Sequence, residues 1–512
     1  MHIFLYGSSG SGKSTVGNML AQALNLPFVD LDAEIENAVG QTIPEFMTEQ
    51  GESAFRDAET IALQKVCENV DAVIALGGGA LLREENRSLA EATGQVILLN
   101  ADLSVLTARL SQDESKRPLL AGELESKLAA LLESRQAHYD SFSLRVDSSQ
   151  LPEQVAWDVQ RLLGRYHVRG MGQGYDVLVR ENGLDQLGEM LKMRGLGGPV
   201  LVVSDTNVAA LYAERVLSSL GAAGFETSSL AIPAGEEYKT LKTVSSIWRG
   251  CLEAGLDRKS TVLALGGGVV GDLGGFAAAT YMRGMPWVNV PTTVLSIVDA
   301  SMGGKTGFDL PEGKNLIGSF HPPRLVLADP NTLSTLPDSE FRSGLVEVVK
   351  HGVIADPDLF EFCSQGIEKV KESLGYIVRR AMGVKVKIIQ EDPYEKGIRA
   401  ALNLGHTIGH AVELVSGFEI RHGEAVSIGM VAEARLAERL SVAGKGLSDA
   451  LIKTLTGLGL HVEIPKNLPR RELINAMKVD KKKVAGVVRF ALPVRIGEVK
   501  VGVEVENLED VL

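Results

Sequence analysis

The chain has 512 residues, 45% of them hydrophobic and 23% charged, with a formal net charge of -13. That length exceeds one ordinary core and suggests about three domains, and the acidic balance argues against nonspecific nucleic-acid binding while leaving room for local basic pockets. Three widely spaced cysteines (Cys67, Cys251 and Cys363), no secretory leader pattern and no long apolar window together predict a cytoplasmic enzyme acting on small molecules, with no disulfide framework and no membrane or nucleic-acid partner.

His2 to Tyr6 reads as a buried strand running straight into Gly7-Ser8-Ser9-Gly10-Ser11-Gly12-Lys13-Ser14-Thr15. A helix follows, with Val16, Met19, Leu20 and Ala23 on one face. This is G-x4-G-K-S in its strand–loop–helix setting. The glycines let backbone N–H groups turn toward phosphate oxygens, the helix N-terminus adds partial positive charge, Lys13 reaches the terminal phosphates, and Ser14 can ligate magnesium. Gly10, Gly12, Lys13, Ser14 and Thr15 are therefore the candidate contacts for ATP and magnesium. The alternative, a glycine- and serine-rich linker, does not explain the preceding strand or the Lys-Ser pair.

Phe28 to Asp32 is predicted as a second strand ending in two acids, Asp30 and Asp32, which can hold a magnesium-bound water and a substrate hydroxyl. Next come Gly51-Glu52-Ser53-Ala54-Phe55-Arg56, a strand over 72–76 entering Gly77-Gly78-Gly79, the polar loop Arg117-Pro118-Leu119-Leu120, and Arg135 on a helix. This ordered series resembles shikimate kinase over residues 1 to 160. The resemblance implies that Asp32, Arg56, Gly78 and Arg135 hold shikimate and that Arg117 lies over the adenine in a lid. It also implies that Asp30 supports magnesium or the attacking hydroxyl and that ATP phosphorylates the 3-hydroxyl. Two arginines suit a carboxylate, which each can grip with its forked guanidinium. Many members of that family have proline two residues after the Arg135 position, where this chain has Ala137. Another small-molecule P-loop kinase, such as gluconate kinase, is the enzyme rival for this part.

Residues 151–164 read as a last amphipathic helix, with Val155, Val159 and Leu162 at helical spacing. The glycine-rich stretch 165–174 breaks periodicity and is the predicted linker between a domain over 1–164 and the remainder. Strands are predicted at 175–179 and 199–204, the latter followed by Asp205-Thr206-Asn207, and another at 261–265 entering Gly266-Gly267-Gly268-Val269-Val270-Gly271-Asp272. The last fits G-x-G-x-x-G after a strand and before a helix, which suits a dinucleotide pyrophosphate or a plain glycine turn. The acid expected about twenty residues downstream is missing, and Asp205 is the candidate ribose partner in its place.

The stretch Leu402 to Ala425, LNLGHTIGHAVELVSGFEIRHGEA, carries three of the nine histidines. A helix over 407–415 puts His406, His410 and Glu413 on one face, with His422 after a turn, and imidazoles grouped this way suit a divalent metal. Around it lie Tyr281-Met282-Arg283-Gly284, Pro291-Thr292-Thr293, Asp299, Gly303-Gly304-Lys305-Thr306-Gly307, Gly313-Lys314-Asn315, Glu347, Lys350, Lys385, Arg399, Asn403 and Asp480-Lys481-Lys482-Lys483. A buried strand over 484–492 is expected to bring that lysine run near the core.

From about residue 175 onward this series closely resembles 3-dehydroquinate synthase. The resemblance implies a Rossmann-like NAD domain over 175–330 and a mainly helical metal domain over 331–512, so that the whole chain is α/β: a P-loop kinase domain, then a synthase-like unit. It implies Glu347, His406 and His422 as ligands of zinc or cobalt, with His410 beside the metal holding the substrate phosphate. It further implies Asp205, Asn207, Glu236, Lys239, Gly267, Gly268, Asp272, Thr292, Thr293 and Lys314 as NAD contacts. Arg283, Asp299, Lys305, Asn315, Lys350, Lys385, Arg399, Asn403 and Lys481 would face the substrate, with Asp299, Lys305 and Lys350 taking part in the chemistry. The implied reaction converts 3-deoxy-arabino-heptulosonate 7-phosphate to 3-dehydroquinate and phosphate, with NAD acting catalytically, in a homodimer. A metal-dependent dehydrogenase of the glycerol type or another sugar-phosphate cyclase is the rival reading.

Overall fold

The computed structural model describes residues 1–112, 124–481, 488–505 and 508–510, with no side-chain description for 479–481 and 510. The chain divides into two compact units, Met1–His167 and Val168–Leu512.

The first unit is built on a five-stranded sheet in the order Phe28–Asp30, Val73–Ala75, His2–Tyr6, Gly94–Asn100, Arg145–Asp147. Every neighbouring pair is parallel. Both faces are covered, which is why His2–Tyr6 is buried throughout. Its side chains alternate between layers: Phe4 and Tyr6 pack with Leu31, Ile74 and Leu98, whereas Ile3 and Leu5 pack with Val16, Leu20, Val73 and Ile97. Both neighbours of this first strand come later in the chain, Val73–Ala75 on one side and Gly94–Asn100 on the other, and the loop after Tyr6 opens over the crevice where the topology switches.

The expected second strand is shorter than the sequence suggests. It stops at Asp30, whose carboxylate accepts the Asp32 backbone N–H at 3.1 Å and starts the helix Leu31–Val39. Asp32 thus stands in a first helical turn, because Asp-x-Asp is an N-cap before it is a strand end.

The second unit contains a parallel sheet whose neighbouring strands run Tyr175–Val179, Leu325–Ala328, Trp287–Pro291, Thr261–Gly266, Val200–Asp205, Thr227–Ile232. After the sheet, the chain is dominated by helices Asp338–Ala355, Leu374–Glu391, His406–Val415 and His422–Arg439. These helices belong to the same compact unit as the sheet. Buried Tyr175, on the first of these strands, accepts the Gly303 N–H, and Lys385 of the second helix pairs with Asp299.

Two other expectations change. The stretch 165–174 begins as a strand, Arg165–Val168, because alternate Tyr166 and Val168 are buried. The late strand is Arg489–Arg495, paired antiparallel with Glu498–Glu504, and 482–487 lie outside the described residues.

Helices His406–Val415 and His422–Arg439 approach so closely that glycine is required between them. A Cβ on Gly429 would collide with the Gly405 carbonyl, and Gly405 itself has φ +80°. Gly429→Ala is expected to destabilise the second unit by about 1–3 kcal/mol. Thermal unfolding of the full chain should show that transition lowered and the first unit's transition unmoved.

Candidate active sites

In the first unit the glycine-rich turn borders a cavity of about 850 Å³, lined among others by Gly10, Ser11, Gly12, Lys13, Ser14, Thr15, Asp30, Asp32 and Arg109. Gly10 and Gly12 have φ of +83° and +86°, which only glycine adopts readily. Lys13 Nζ donates to the Gly7 and Ser8 carbonyls, each at 2.9 Å. Ser14 Oγ donates to Asp30 Oδ2 at 2.6 Å, and the buried Ser11 hydroxyl has no hydrogen-bond partner among the described residues. A cationic amine, a hydroxyl–carboxylate pair and an uncapped helix start are thus gathered on one wall, the equipment for a polyphosphate with its metal.

Gly77 to Gly79 form the meeting point of the other predicted groups. A Cβ on Gly77 would lie 3.0 Å from Asp32 Oδ1 and 2.9 Å from Glu59 Oε1, and one on Gly79 would lie 2.9 Å from Arg56 Nη2. The Gly78 carbonyl accepts Arg135 Nη1 at 2.8 Å and the Tyr139 hydroxyl at 3.1 Å. Arg56 Nη1 is held by Glu59 Oε2 at 2.8 Å. Glu59 is fully buried, and burial raises its carboxyl against the opposing pull of Arg56. Glu59 and Arg109 escaped the sequence reading. Glu59 is legible only as the acid one turn after Arg56, and Arg109 carries no local signal. Arg117 lies outside the described residues.

In the second unit the turn at Gly267 leads from the strand Thr261–Gly266 into the helix Gly268–Thr280, whose N-terminus has no side-chain cap. Thr292 Oγ1 is buried there without a hydrogen-bond partner among the described residues. Asp205 accepts the N–H groups of Asn207 and Val208 at 2.9 and 3.0 Å. Lys239 Nζ lies 2.7 Å from both Asp272 Oδ2 and Asn315 Oδ1, and Lys314 lies 3.8 Å from Glu236. The expected nucleotide contacts are therefore linked to Asn315, which lies on the antiparallel pair Lys305–Leu310 and Gly313–Phe320.

Glu347, His406 and His422 bring one ligand atom each to within 4.8 Å of one another. His406 and His422 each open a helix, and the close Gly405–Gly429 contact draws those helices together. Glu347 is fully buried on Asp338–Ala355; it pairs with Lys350, and neither oxygen has a hydrogen-bond partner among the described residues. Its Oε1 is 3.8 Å from His406 Nε2. Burial, then the Lys350 ammonium, pushes the His406 imidazole well below its usual range, which keeps it neutral. The Leu404 carbonyl lies 3.2 Å from His406 Nδ1, leaving Nε2 toward Glu347. Burial alone would lower His422, but Glu413 Oε2 at 3.1 Å from its Nδ1 raises it. A buried carboxylate and two imidazoles fixed by further acceptors fit a divalent cation.

His410 lies beside this set, its ring 5.2 Å from His406, and groups with Glu413 and His422 rather than with Glu347. Buried Lys385 forms an ion pair with the half-buried Asp299. Burial would raise the Asp299 carboxyl, yet Lys385 and Lys350 hold it far below its usual range. Lys305 pairs with Glu395, and Arg399 is buried with Nη1 on the Pro393 carbonyl at 2.5 Å. Arg283 and Asn403 are exposed, and the Lys481 side chain lies outside the described residues. Sequence reasoning missed His351, which is buried one helical turn from Glu347 and pushed down to about 3 by burial.

Three matches to known families respect this division. The family described as shikimate kinase matches residues 9–163, and the N- and C-terminal families of 3-dehydroquinate synthase match 229–343 and 344–483. A 3-dehydroquinate synthase of Nostoc punctiforme is 45% identical over 342 residues, covering 65% of this chain and 94% of that protein. Among solved structures, 2-epi-5-epi-valiolone synthase from Streptomyces hygroscopicus subsp. jinggangensis, with NAD+ and Zn2+ bound, is 29% identical with TM-score 0.60. It covers 66% of this chain and 94% of its own. A 2-deoxy-scyllo-inosose synthase complexed with carbaglucose-6-phosphate, NAD+ and Co2+ is 28% identical with TM-score 0.60, over 66% of this chain and 94% of its own.

Proposed function

The chain belongs to the 3-dehydroquinate synthase family and carries a shikimate kinase domain ahead of it, which makes it a bifunctional enzyme of the shikimate pathway; on that premise we propose how its two sites work. The observation that carries the reading is the buried Glu347 carboxylate, paired with Lys350, without a hydrogen-bond partner among the described residues and within ligand reach of His406 and His422. We read 3-deoxy-arabino-heptulosonate 7-phosphate as the substrate of this site.

A divalent metal, zinc or cobalt, would be held by Glu347, His406 and His422, and NAD by the helix start at Gly267–Gly268 with Thr292, Thr293, Asp205, Asn207, Glu236, Lys239, Asp272 and Lys314. When bound, the metal supplies Lewis acidity and NAD a reversible hydride acceptor. Lys350, sharing the Glu347 carboxylate, adds positive charge where an oxyanion would develop. Lys385 and Asp299 form a charge pair that can orient substrate hydroxyls, and His410, Lys305, Asn315, Arg399, Asn403, Arg283 and Lys481 are the candidates for its phosphate and carboxylate.

In the kinase site, ATP and magnesium fit the wall of Lys13, Ser14, Thr15 and Asp30, with Arg117 over the adenine. Shikimate fits the Gly77–Gly79 rim: Arg56 and Arg135 take its carboxylate, and Asp32 accepts the 3-hydroxyl proton. The three free cysteines support a cytoplasmic setting. Among the described residues, no helix is long and apolar enough to cross a membrane. The family reading also makes the enzyme a homodimer through the second unit.

The purified full chain should release phosphate from the heptulosonate 7-phosphate with no net NADH. That activity should vanish on chelation and return with zinc, while ADP forms with shikimate and ATP independently of chelated zinc. Accumulating NADH would instead identify a dehydrogenase.

A further inference from the structure

Tyr6 and His138 have no part in the contacts assigned to ATP or shikimate, yet both end on the kinase rim. Besides Arg135 at 2.8 Å and Tyr139 at 3.1 Å, the Gly78 carbonyl faces a third donor, the Tyr6 hydroxyl, at 3.4 Å. A carbonyl oxygen has two lone pairs, so three donors cannot all bond it well, and the Tyr6 contact is beyond the usual O–H···O range. The same hydroxyl lies 3.1 Å from His138 Nε2. The Tyr6 ring is fully buried and wedged among Tyr139, Phe142 and His138 at 5.6, 5.3 and 5.7 Å, so its oxygen cannot wander. Arg135, His138 and Tyr139 all stand on the helix Leu124–Asp140.

We propose that Tyr6 and His138 are positioning residues for the phosphoryl acceptor. The proposal rests on the reading that Arg135 binds the shikimate carboxylate. In this proposal Arg135 swings its guanidinium from the Gly78 carbonyl onto that carboxylate, exchanging a neutral acceptor for a charge-assisted bond. Two donors then remain for two lone pairs. The Tyr6 hydroxyl closes onto the vacated position while His138 Nε2–H donates to the Tyr6 oxygen. Gly78 keeps its place, and the arginine is released without stranding a buried acceptor.

The test uses the full chain and Tyr6→Phe, which removes one hydroxyl and keeps the ring packing. KM for shikimate is expected to rise about threefold to tenfold, the worth of one hydrogen bond. KM for ATP and kcat should change less than about twofold on the same grounds, and phosphate release from the heptulosonate should not change. His138→Leu should reproduce the effect, His138→Gln, which keeps a donor, should recover most of it, and the double variant should fall short of the product of the two single effects. An unchanged shikimate KM in Tyr6→Phe overturns the proposal. So does a parallel loss of kcat, both KM values and thermal stability, which would mark a merely structural role. A wild-type chain that forms no ADP with shikimate overturns the substrate reading itself, and it does so before any variant is made.

Discussion

Lys13→Ala should abolish ADP formation with shikimate, by about a thousandfold or more, and leave phosphate release from the heptulosonate at the wild-type rate. The magnitude follows from what the amine does. Phosphoryl transfer is catalysed almost entirely by positioning and charge stabilisation, and removing a single preorganised donor to developing charge already costs about 10²–10³ in rate. Lys13 offers a full positive charge beside neutral donors, the backbone N–H groups of the turn and the serine hydroxyls. Its present bonds to the Gly7 and Ser8 carbonyls, at 2.9 Å, keep the amine on the cavity wall and are exchangeable for phosphate oxygens. The fold should survive, because Lys13 opens a helix whose buried face is Val16, Gly17, Leu20, Ala21 and Leu24. The second activity should be untouched, since its candidate groups run from Asp205 onward and lie in the other compact unit. Equal loss of both activities in a folded variant would refute two independent sites.

Some of this architecture was legible because it is local. A five-residue buried strand, a turn with three glycines and Lys-Ser follow one another directly, and the turn's geometry follows from backbone sterics. Asp32 shows where local reasoning slipped: the acid pair looks like a strand end, but the Asp30 side chain caps the following helix and draws Asp32 into its first turn. The histidines are a harder case. Helical spacing correctly places His406 and His410 on one helix, but it cannot see Glu347 on a helix far earlier in the chain. Nor can spacing show that Gly405 and Gly429 let two helices approach until His406 and His422 share a centre. Tyr6 is, in sequence, simply the last residue of a buried strand, and nothing there tells that its hydroxyl meets His138.

Glu347→Gln tests that centre with the least steric change. The substitution keeps volume and one carbonyl oxygen but removes the negative charge that pairs with Lys350 and that the proposed divalent cation would use. Phosphate release should fall by about a thousandfold or more, the scale of losing a charged group that acts in the transition state. Elemental analysis of the dialysed protein should find the metal gone, and added zinc should not restore turnover. Breaking a buried ion pair also costs stability, about 3–5 kcal/mol where the remaining charge stays uncompensated. Metal content must therefore be read on protein shown to be folded, and retained kinase activity reports on the other unit in the same sample. His410→Gln separates the two histidine readings. His410 is exposed and groups with Glu413 and His422 instead of Glu347, so this variant should keep its metal and lose turnover chiefly by mishandling the phosphate. Were it to lose metal as completely as Glu347→Gln, His410 would be a ligand as its helical spacing suggests, and the buried carboxylate would no longer define the centre.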